Sequence, residues 1–250
     1  MLASYQWSLI WEHRIDFLNG LKVAVEVSAV AMAISVVVGI LLALARMSKP
    51  PISWLAAAYI NVFRGVPALV SVIWVYFGWS LLLGISFTVF QAGVIALVAL
   101  YGAFISEIYR AALEAIPRGQ REAGLALGMH PLRVFLQVVL PQATKIAIPN
   151  IGSMFIGMIK DTSVFTVIGL LEVVRVTQNI NSITFQPFVL YTAAAGLYVF
   201  AAFAIDFLFR AVEKSLATPP KGRIAQLVHG RRRRRVEKLV RDFRSAQGVA

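Results

Sequence analysis

Five long apolar segments run through this chain of 250 residues, each about as long as a helix that crosses a lipid bilayer. A spanning helix needs about 20 mostly apolar residues, because it must cross a hydrocarbon layer about 30 Å thick. Lipid offers no hydrogen bonds to the backbone, so a spanning segment must satisfy its own, as a helix does. The sequence predicts an all-α integral membrane protein with five transmembrane helices, at residues 23–45, 66–83, 87–105, 146–171 and 187–209.

The composition agrees with a protein embedded in lipid. Hydrophobic residues make up 59% of the chain and charged residues 14%, and the mean hydropathy is +0.75. Soluble domains are about half apolar and about a quarter charged. These values exclude a soluble enzyme, a disordered chain and a secreted disulfide scaffold. The absence of cysteine also excludes a thiolate metal site and a cysteine nucleophile.

The basic residues predict the orientation of the spans. Cytoplasmic loops of membrane proteins carry an excess of lysine and arginine. With the N-terminus outside and the C-terminus in the cytoplasm, the outer segments hold only three basic residues. Apart from Lys160, which lies within a span, the others fall on the inner side: Arg46, Lys49, Arg64, Arg110, Arg118, Arg121, Arg133, Lys145 and everything from Arg210 onward.

Two terminal segments fall outside the spans. Residues 1–18 mix aromatic and polar side chains, which is typical of a helix at headgroup depth, although an unstructured terminus is the alternative. Residues 216–250 form a basic tail that contains five consecutive arginines at 231–235. Such a tail just inside a membrane favours contact with anionic lipid. Nucleic-acid binding is the disfavoured alternative, since Phe243 is the only aromatic residue in the tail.

The sequence has no motif for nucleotide hydrolysis or metal binding. No G-x-x-x-x-G-K-[ST] loop occurs anywhere in the chain. Its three histidines, His13, His130 and His229, are far apart and near no carboxylate cluster. We therefore expect no enzymatic activity, no cofactor and no metal, and we expect any work to be driven by a partner or by a gradient.

The loop between the third and fourth apolar segments is rich in helix-ending residues, and the charge pattern places it in the cytoplasm. Residues 120–127 read as a short helix with small side chains that would let another surface approach closely. The loop is either a hairpin that packs on its own spans or a docking knob for a separate motor protein. The expected joints are a helix end at Pro117, a turn at Gly119, a helix end at Gly128, a new helix at Pro131 and its end at Pro141.

These residues resemble a known family. Glu122-Ala123-Gly124, followed by Gly128, is similar to the EAA loop of ATP-binding-cassette importer permeases. The polar amino acid uptake permeases, of the histidine and glutamine type, show further motifs that this chain matches in order. The matches are Gly20-Leu21, Phe63-Arg64-Gly65-Val66-Pro67, Pro141-Gln142-Ala143 and Lys160-Asp161-Thr162-Ser163, and the resemblance covers about residues 19–215 as one transmembrane domain.

The resemblance implies a subunit of a larger machine in the bacterial inner membrane. Such permeases work in pairs, as two copies or two related chains, and each binds one cytoplasmic ATPase. A periplasmic or surface binding protein delivers the substrate to the outer face. The ATPase-coupling residues implied here are Gly119, Gln120, Glu122, Ala123, Gly124, Leu127 and Gly128. A gradient-driven carrier or channel that acts without an ATPase is the alternative.

One departure from the family pattern concerns the EAA triplet. Its second alanine is Gly124 here. Glycine is about 1 kcal/mol less favourable than alanine in a helix interior. We therefore expect the short helix of the loop to be slightly less stable than its counterpart in the family.

Ionisable residues within apolar segments predict the substrate path. A charged side chain is expensive in lipid and marks either a functional site or a buried pair. Lys160 and Asp161 are sequence neighbours, so they cannot face each other on a helix. They could hold the carboxylate and the ammonium group of a zwitterionic substrate, or they could form structural pairs with other spans. Thr162 and Ser163 would add hydroxyl groups to either arrangement.

Three further features have two interpretations each. Glu26, one turn into the first span, either faces a cavity or reaches the membrane surface. Gly65 and Pro67 predict a helix break, which would be part of an inner gate or substrate site, or a simple joint. Glu107 and Arg110 lie one helical turn apart and are expected to pair, with an inner gate as the alternative role.

Overall fold

The computed structural model describes residues 5–216, and the regular elements in that range are helices. The α-helices are α1 (Ser8–Glu12), α2 (Arg14–Arg46), α3 (Ile52–Gly65), α4 (Ala68–Ile73), α5 (Trp79–Leu83), α6 (Val89–Glu114), α7 (Arg118–Ala126), α8 (Pro131–Val134), α9 (Leu140–Asp161), α10 (Val173–Thr184) and α11 (Pro187–Leu216). Two π-helical turns, Trp74–Gly78 and Phe135–Val139, and one 3₁₀ helix, Thr162–Ile168, join some of them. The basic tail that the sequence predicts lies outside the described residues.

Four helical segments are long and apolar enough to cross a membrane. They are Arg14–Arg46, Val89–Glu114, Pro131–Ile168 and Pro187–Leu216. A fifth span results if Ile52–Gly65 and Ala68–Leu82, which meet at an angle of 108°, are counted as one broken helix. The all-helical membrane fold is therefore confirmed, with four to five spans.

The parallel pair of α2 and α6 forms the core of the described fold. Glycines bring the two helices into direct contact: a Cβ atom on Gly39 would lie 2.6 Å from the Ile105 side chain, and one on Gly102 would lie 3.0 Å from Val38. On the same helix α6, Ala96 and Ala103 are buried. Small residues permit such close packing where water does not drive association.

The second apolar segment begins with a sharp bend where the sequence predicts a break. Helix α3 ends at Gly65 and α4 begins at Ala68. Pro67 has no backbone N–H and adopts an extended conformation, so the helix cannot continue through it. The resulting bend is 108°.

The expectation that Pro141 ends a helix is wrong. A continuous helical segment runs from Pro131 to Ile168, with Pro141 near the start of α9 and Pro149 inside it. The π-helical turn Phe135–Val139 precedes Pro141 and changes the hydrogen-bond spacing there. The wider turn accommodates a ring that would otherwise collide with a carbonyl one turn back.

The bundle has two opposite ends, the hairpin end and the α10 end. The hairpin end carries α7 and the end of α6 at Glu114; the α10 end carries α10 and the start of α2 at Arg14. Helix α2 begins ahead of the apolar run at residue 23, so residues 14–18 continue the first spanning helix. The chain divides into a compact unit that ends at Asp206 and a second unit that begins at Phe207, whose described part completes α11.

Candidate functional site

The hairpin between α6 and α9 is built from three backbone devices. Pro117 precedes α7 with an extended ψ of 133°, which directs the chain away from α6. Gly128 ends the short helix with a positive φ of 76°, a conformation that costs other residues energy. Pro131 then begins α8, behind His130, whose ring accepts from the N–H of Leu132. The predicted short helix at residues 120–127 is observed as Arg118–Ala126.

Side-chain contacts fix this short helix against the start of the next one. Gly124 is buried, and a Cβ atom there would lie 2.9 Å from a methyl group of Val134. The side-chain amide of Gln142 donates to that of Gln120 over 3.3 Å. The expectation that Gly124 weakens the helix relative to alanine therefore omits a tertiary contact, since the glycine permits this close approach.

The outer surface of the hairpin is apolar and exposed. Leu127 is 83% exposed and Leu125 is 40% exposed. Glu122 and Ala123 lie on the exposed surface of the same helix. A cleft of about 720 Å³ separates the hairpin from the C-terminal ends of α2 and α6, with Met47, Leu113 and Phe135 among its lining residues. Such an exposed apolar tip on a rigid loop can bind another protein.

A separate, polar site lies within the bundle, where α6 passes the end of α9. The Tyr101 hydroxyl donates to Oδ2 of Asp161 over 2.9 Å. Gly157 leaves room for that hydroxyl, because a Cβ atom there would lie 3.1 Å from it. No basic side chain of residues 5–216 forms an ion pair with Asp161. The Asp161 carboxyl therefore has a hydroxyl partner and no described counter-charge.

Lys160 lies on a different side of α9 from Asp161. It lines a cleft of about 460 Å³ between α9 and α11, together with Ser163, Tyr198 and Asp206. Thr162 is fully buried, and its hydroxyl donates to the Ile159 carbonyl over 2.7 Å. The structure therefore places the four motif residues around the end of α9 and does not bring the two charged side chains together.

The remaining predicted positions are spread along the bundle. Glu26 pairs with Lys22 over 3.7 Å on an exposed face of α2. Arg110 contacts Glu107 over 2.8 Å and Glu114 over 2.9 Å at the hairpin end of α6. Gly65 and Pro67 lie at the bend between α3 and α4. Next to Gly65, the Arg64 guanidinium lies 5.7 Å from the centre of the Phe104 ring.

Sequence reasoning missed α10 and the buried carboxyl group that begins it. Glu172 is fully buried and accepts hydrogen bonds from the N–H groups of Val174 and Arg175 and from the Tyr198 hydroxyl. Burial raises the pKa of Glu172 above the ordinary carboxyl value, and these hydrogen bonds partly oppose the rise. A lone acidic residue ahead of a helical pattern was the available signal.

Tyr101 and Asp206 were also missed. Asp206 is an ionisable residue inside the fifth apolar segment, which is itself a signal of function or pairing. Tyr101 gave no such signal, because one tyrosine in an apolar run does not indicate its partner. Its role became visible only when α6 and α9 were placed side by side.

A membrane-embedded bundle that carries a rigid exposed hairpin on one end defines a class of protein, the membrane subunit of a multi-component transport system. Residues 35–218 match the family described as "Binding-protein-dependent transport system inner membrane component". The chain belongs to this family, and it is therefore a multi-pass protein of the inner membrane.

Curated relatives cover most of the chain. The glutamine transport system permease protein GlnP of Escherichia coli (strain K12) is 33% identical over 85% of this chain and 98% of its own. The arginine transport system permease protein ArtQ of Bacillus subtilis (strain 168) is 35% identical over 80% of this chain and 91% of its own.

Solved structures share the fold. The structure titled "Crystal structure of an amino acid ABC transporter with histidines" contains a chain that is 32% identical, with a TM-score of 0.75 over 84% of this chain and 98% of that one. A chain of the inward-facing MetNI methionine ABC transporter aligns with a TM-score of 0.69 over 80% of this chain and 96% of that one. At 21% identity, this second likeness shows the fold alone.

Proposed function

We propose that this chain is the permease subunit of an ATP-driven importer of polar amino acids or closely related small solutes. The observation that carries the proposal is the hairpin, a short helix fixed at both ends that exposes Leu127 on its tip. The likeness to glutamine and arginine permeases supports the substrate class.

In the proposed orientation the hairpin end faces the cytoplasm and the α10 end faces outward. The basic residues Arg46, Arg110 and Arg118 then lie on the cytoplasmic side, as the distribution of charge in membrane proteins requires. A separate ATPase docks on α7, with Glu122 and Ala123 at its exposed surface and Leu127 as the apolar anchor. Gly128 ends this docking helix, and Gly119 lies within its first turn.

The proposed substrate site uses the two charged residues at the end of α9. Lys160 binds the carboxylate of the amino acid in the cleft that Ser163 also lines. Asp161, oriented by the Tyr101 hydroxyl, accepts the ammonium group. Asp161 is partly buried and forms no ion pair within residues 5–216, which supports this role, because a charge within a span normally pairs with another charge when its role is structural.

Three other features have smaller parts in the proposal. The bend at Gly65 and Pro67 gives α4 a separate orientation from α3, which suits the wall of a path. The Glu107–Arg110–Glu114 network holds the inner end of α6 as a structural element, with gating as its alternative role. Glu26 is exposed and pairs with Lys22, which supports placing Glu26 at the membrane surface rather than in a cavity.

The proposed partners follow from the same arrangement. A second permease, either another copy or a related chain, covers the apolar face of α11 that exposes Phe200 and Phe203. A solute-binding protein docks at the α10 end, where Ile183 and Phe185 are each at least 80% exposed. Membrane lipid surrounds the remaining apolar surface.

Reconstitution tests this function. The permease, its co-expressed ATPase and a solute-binding protein are placed in liposomes, and uptake of radiolabelled L-glutamine and L-arginine is measured with and without ATP. We expect uptake that requires all components. Equal uptake by the permease alone would identify a gradient-driven carrier or channel and overturn the proposal.

Two variants separate the site from the docking helix. Asp161→Asn should reduce uptake at least tenfold while the complex still assembles, because the carboxylate charge is lost and the shape is kept. Glu122→Lys should leave substrate binding intact and weaken the ATPase interaction. Loss of assembly in Asp161→Asn would favour the structural role of that residue.

A further inference from the structure

One buried hydrogen-bond network joins the end of α9 to α10 and is unused by the function proposed above. Glu172 lies at its centre and is fully buried. One carboxylate oxygen, Oε1, accepts the N–H groups of Val174 at 2.8 Å and Arg175 at 3.0 Å, which caps α10. The other, Oε2, accepts the hydroxyl of Tyr198 on α11.

The network lies next to the segment that follows Asp161. Thr162 is fully buried near Tyr198, and its hydroxyl donates to the Ile159 carbonyl over 2.7 Å. Four residues further on, the Thr166 hydroxyl donates to the side-chain oxygen of Gln178, in the middle of α10, over 2.9 Å. This side-chain hydrogen bond links the segment after Asp161 to α10.

Packing makes the first turn of α10 part of the same rigid group. A Cβ atom on Gly20 would lie 2.9 Å from the backbone nitrogen of Val173, so α2 contacts the backbone of this turn directly. Phe17, Val173 and Ile180 share a buried apolar cluster beneath α10. The opposite surface of α10 ends in Ile183, which is 81% exposed.

The segment between Asp161 and α10 is an unusual one. Thr162–Ile168 is a 3₁₀ helix of seven residues, whereas such helices rarely exceed about four residues and often mark a hinge when they are longer. It ends at Gly169 with a positive φ of 89°. This single short helix, followed by residues 169–172, connects the residue that precedes it, Asp161, to α10, so a displacement of α10 would reach Asp161 through the helix.

We propose that Glu172 and Tyr198 are positioning residues of a relay that transmits the docking of a binding protein on α10 to the Lys160–Asp161 substrate site. This inference rests on the proposed function. The hydroxyl and carboxylate groups keep α10, α11 and the 3₁₀ helix in register, so that movement of the outer helix moves Asp161. Glu172 acts in the relay through position alone, whereas Tyr198 also lines the cleft that holds Lys160.

The test compares three variants that each remove one hydroxyl group. Tyr198→Phe and Thr166→Val each break one connection of the relay. Tyr59→Phe is the matched control, because its hydroxyl donates to the Ala99 carbonyl over 3.1 Å, between α3 and α6 and outside the relay. Each variant is purified as the complex with its ATPase in lipid nanodiscs.

Two measurements are made on each complex. Amide hydrogen exchange of residues 173–184 should accelerate about tenfold in Tyr198→Phe, since a buried carboxylate loses a donor. Stimulation of ATP hydrolysis by the binding protein should fall at least fivefold in Tyr198→Phe and to a smaller extent in Thr166→Val. Tyr59→Phe should change neither quantity.

The outcomes separate the relay from the function on which it rests. Unchanged hydrogen exchange in Tyr198→Phe would overturn the relay. Faster hydrogen exchange with full stimulation of ATP hydrolysis would also overturn it, because the network would then have only a structural role. A Tyr59→Phe complex that loses stimulation equally would also overturn it. A wild-type complex that moves no solute with ATP and binding protein present would instead overturn the proposed function.

Discussion

The hairpin end and the α10 end of this bundle are held together by different kinds of contact. At the hairpin end, the chain folds through residues that are close in sequence, such as Pro117, Gly128 and Pro131. At the α10 end, the important contacts join residues far apart in sequence: Gly20 with Val173, and Glu172 with Tyr198.

This difference shows how one membrane subunit can combine a locally folded element with one whose contacts are distributed over several helices. The hairpin can be altered locally without disturbing the spans, because its backbone turns carry its shape. The α10 end depends on α2, α10 and α11 together, so a single change there should affect all three helices. Four substitutions test whether the two ends differ in this way.

The largest effect is expected from Gly20→Ala. The added Cβ atom would lie 2.9 Å from the Val173 backbone nitrogen, and backbone cannot rotate away as a side chain can. Overpacking costs about 1–3 kcal/mol, and we expect the upper part of that range here. Thermal unfolding of the purified complex measures it. Gly196→Ala on α11 is the control, because nothing lies within 4 Å of its added atom.

The next effect is expected from Gly128→Ala at the hairpin. A non-glycine residue at a φ of 76° costs about 1–2 kcal/mol. The loss should stay local: hydrogen exchange in the hairpin should accelerate and ATPase affinity should fall, while unfolding of the spans is unchanged. Gly119→Ala has open space and should slow exchange instead. Global destabilisation by Gly128→Ala would contradict the contrast between the two ends.

A smaller effect is expected from Gly124→Ala, which restores the residue usual in the family. Alanine favours the helix by about 1 kcal/mol, yet its methyl group would lie 2.9 Å from Val134. We expect a net loss of about 1 kcal/mol in hairpin stability, within the range for overpacking. The double variant with Val134→Ala should recover part of it, and a double-mutant cycle by hydrogen exchange measures this coupling. Independent, additive effects would refute the contact.

The smallest effect is expected from Glu26→Gln. Its carboxylate pairs with Lys22 over 3.7 Å, and both side chains are more than half exposed. Exposed pairs one helical turn apart contribute about 0.3–0.5 kcal/mol. Uptake should therefore stay within twofold of wild type and unfolding should barely change. A tenfold loss of uptake would instead place Glu26 in a cavity of the assembled transporter.

The hairpin was predictable from the sequence for the same reason that it is local. Proline and glycine act on their own backbone, so their positions indicate where helices begin and end without knowledge of the fold. Two expectations nearby were wrong. Gly119 lies inside α7 rather than at a turn, and Pro141 does not end a helix, because the π-helical turn Phe135–Val139 accommodates the proline. The bend at Gly65 and Pro67 was predictable by the same local logic.

The polar contacts inside the bundle were not predictable in the same way. Lys160 and Asp161 could be assigned to different sides of one helix, because neighbouring residues diverge by geometry. Their actual surroundings, the Tyr101 hydroxyl for one and the cleft with Asp206 for the other, depend on which helices are adjacent. Helix α10 was missed because its apolar residues lie in a segment too polar to read as a span.

By itself, the sequence determined that the chain is embedded in lipid, that its spans are helical and where most of its local turns lie. Hydropathy, backbone hydrogen bonding and the conformations of proline and glycine decide these features, because each acts within a few residues. Tertiary structure decided which polar groups meet. The Tyr101–Asp161 and Tyr198–Glu172 contacts join residues that are 60 and 26 positions apart in the chain. Only the close packing that glycines such as Gly20 and Gly39 allow brings the helices together, and that packing depends on three-dimensional shape rather than on any local pattern.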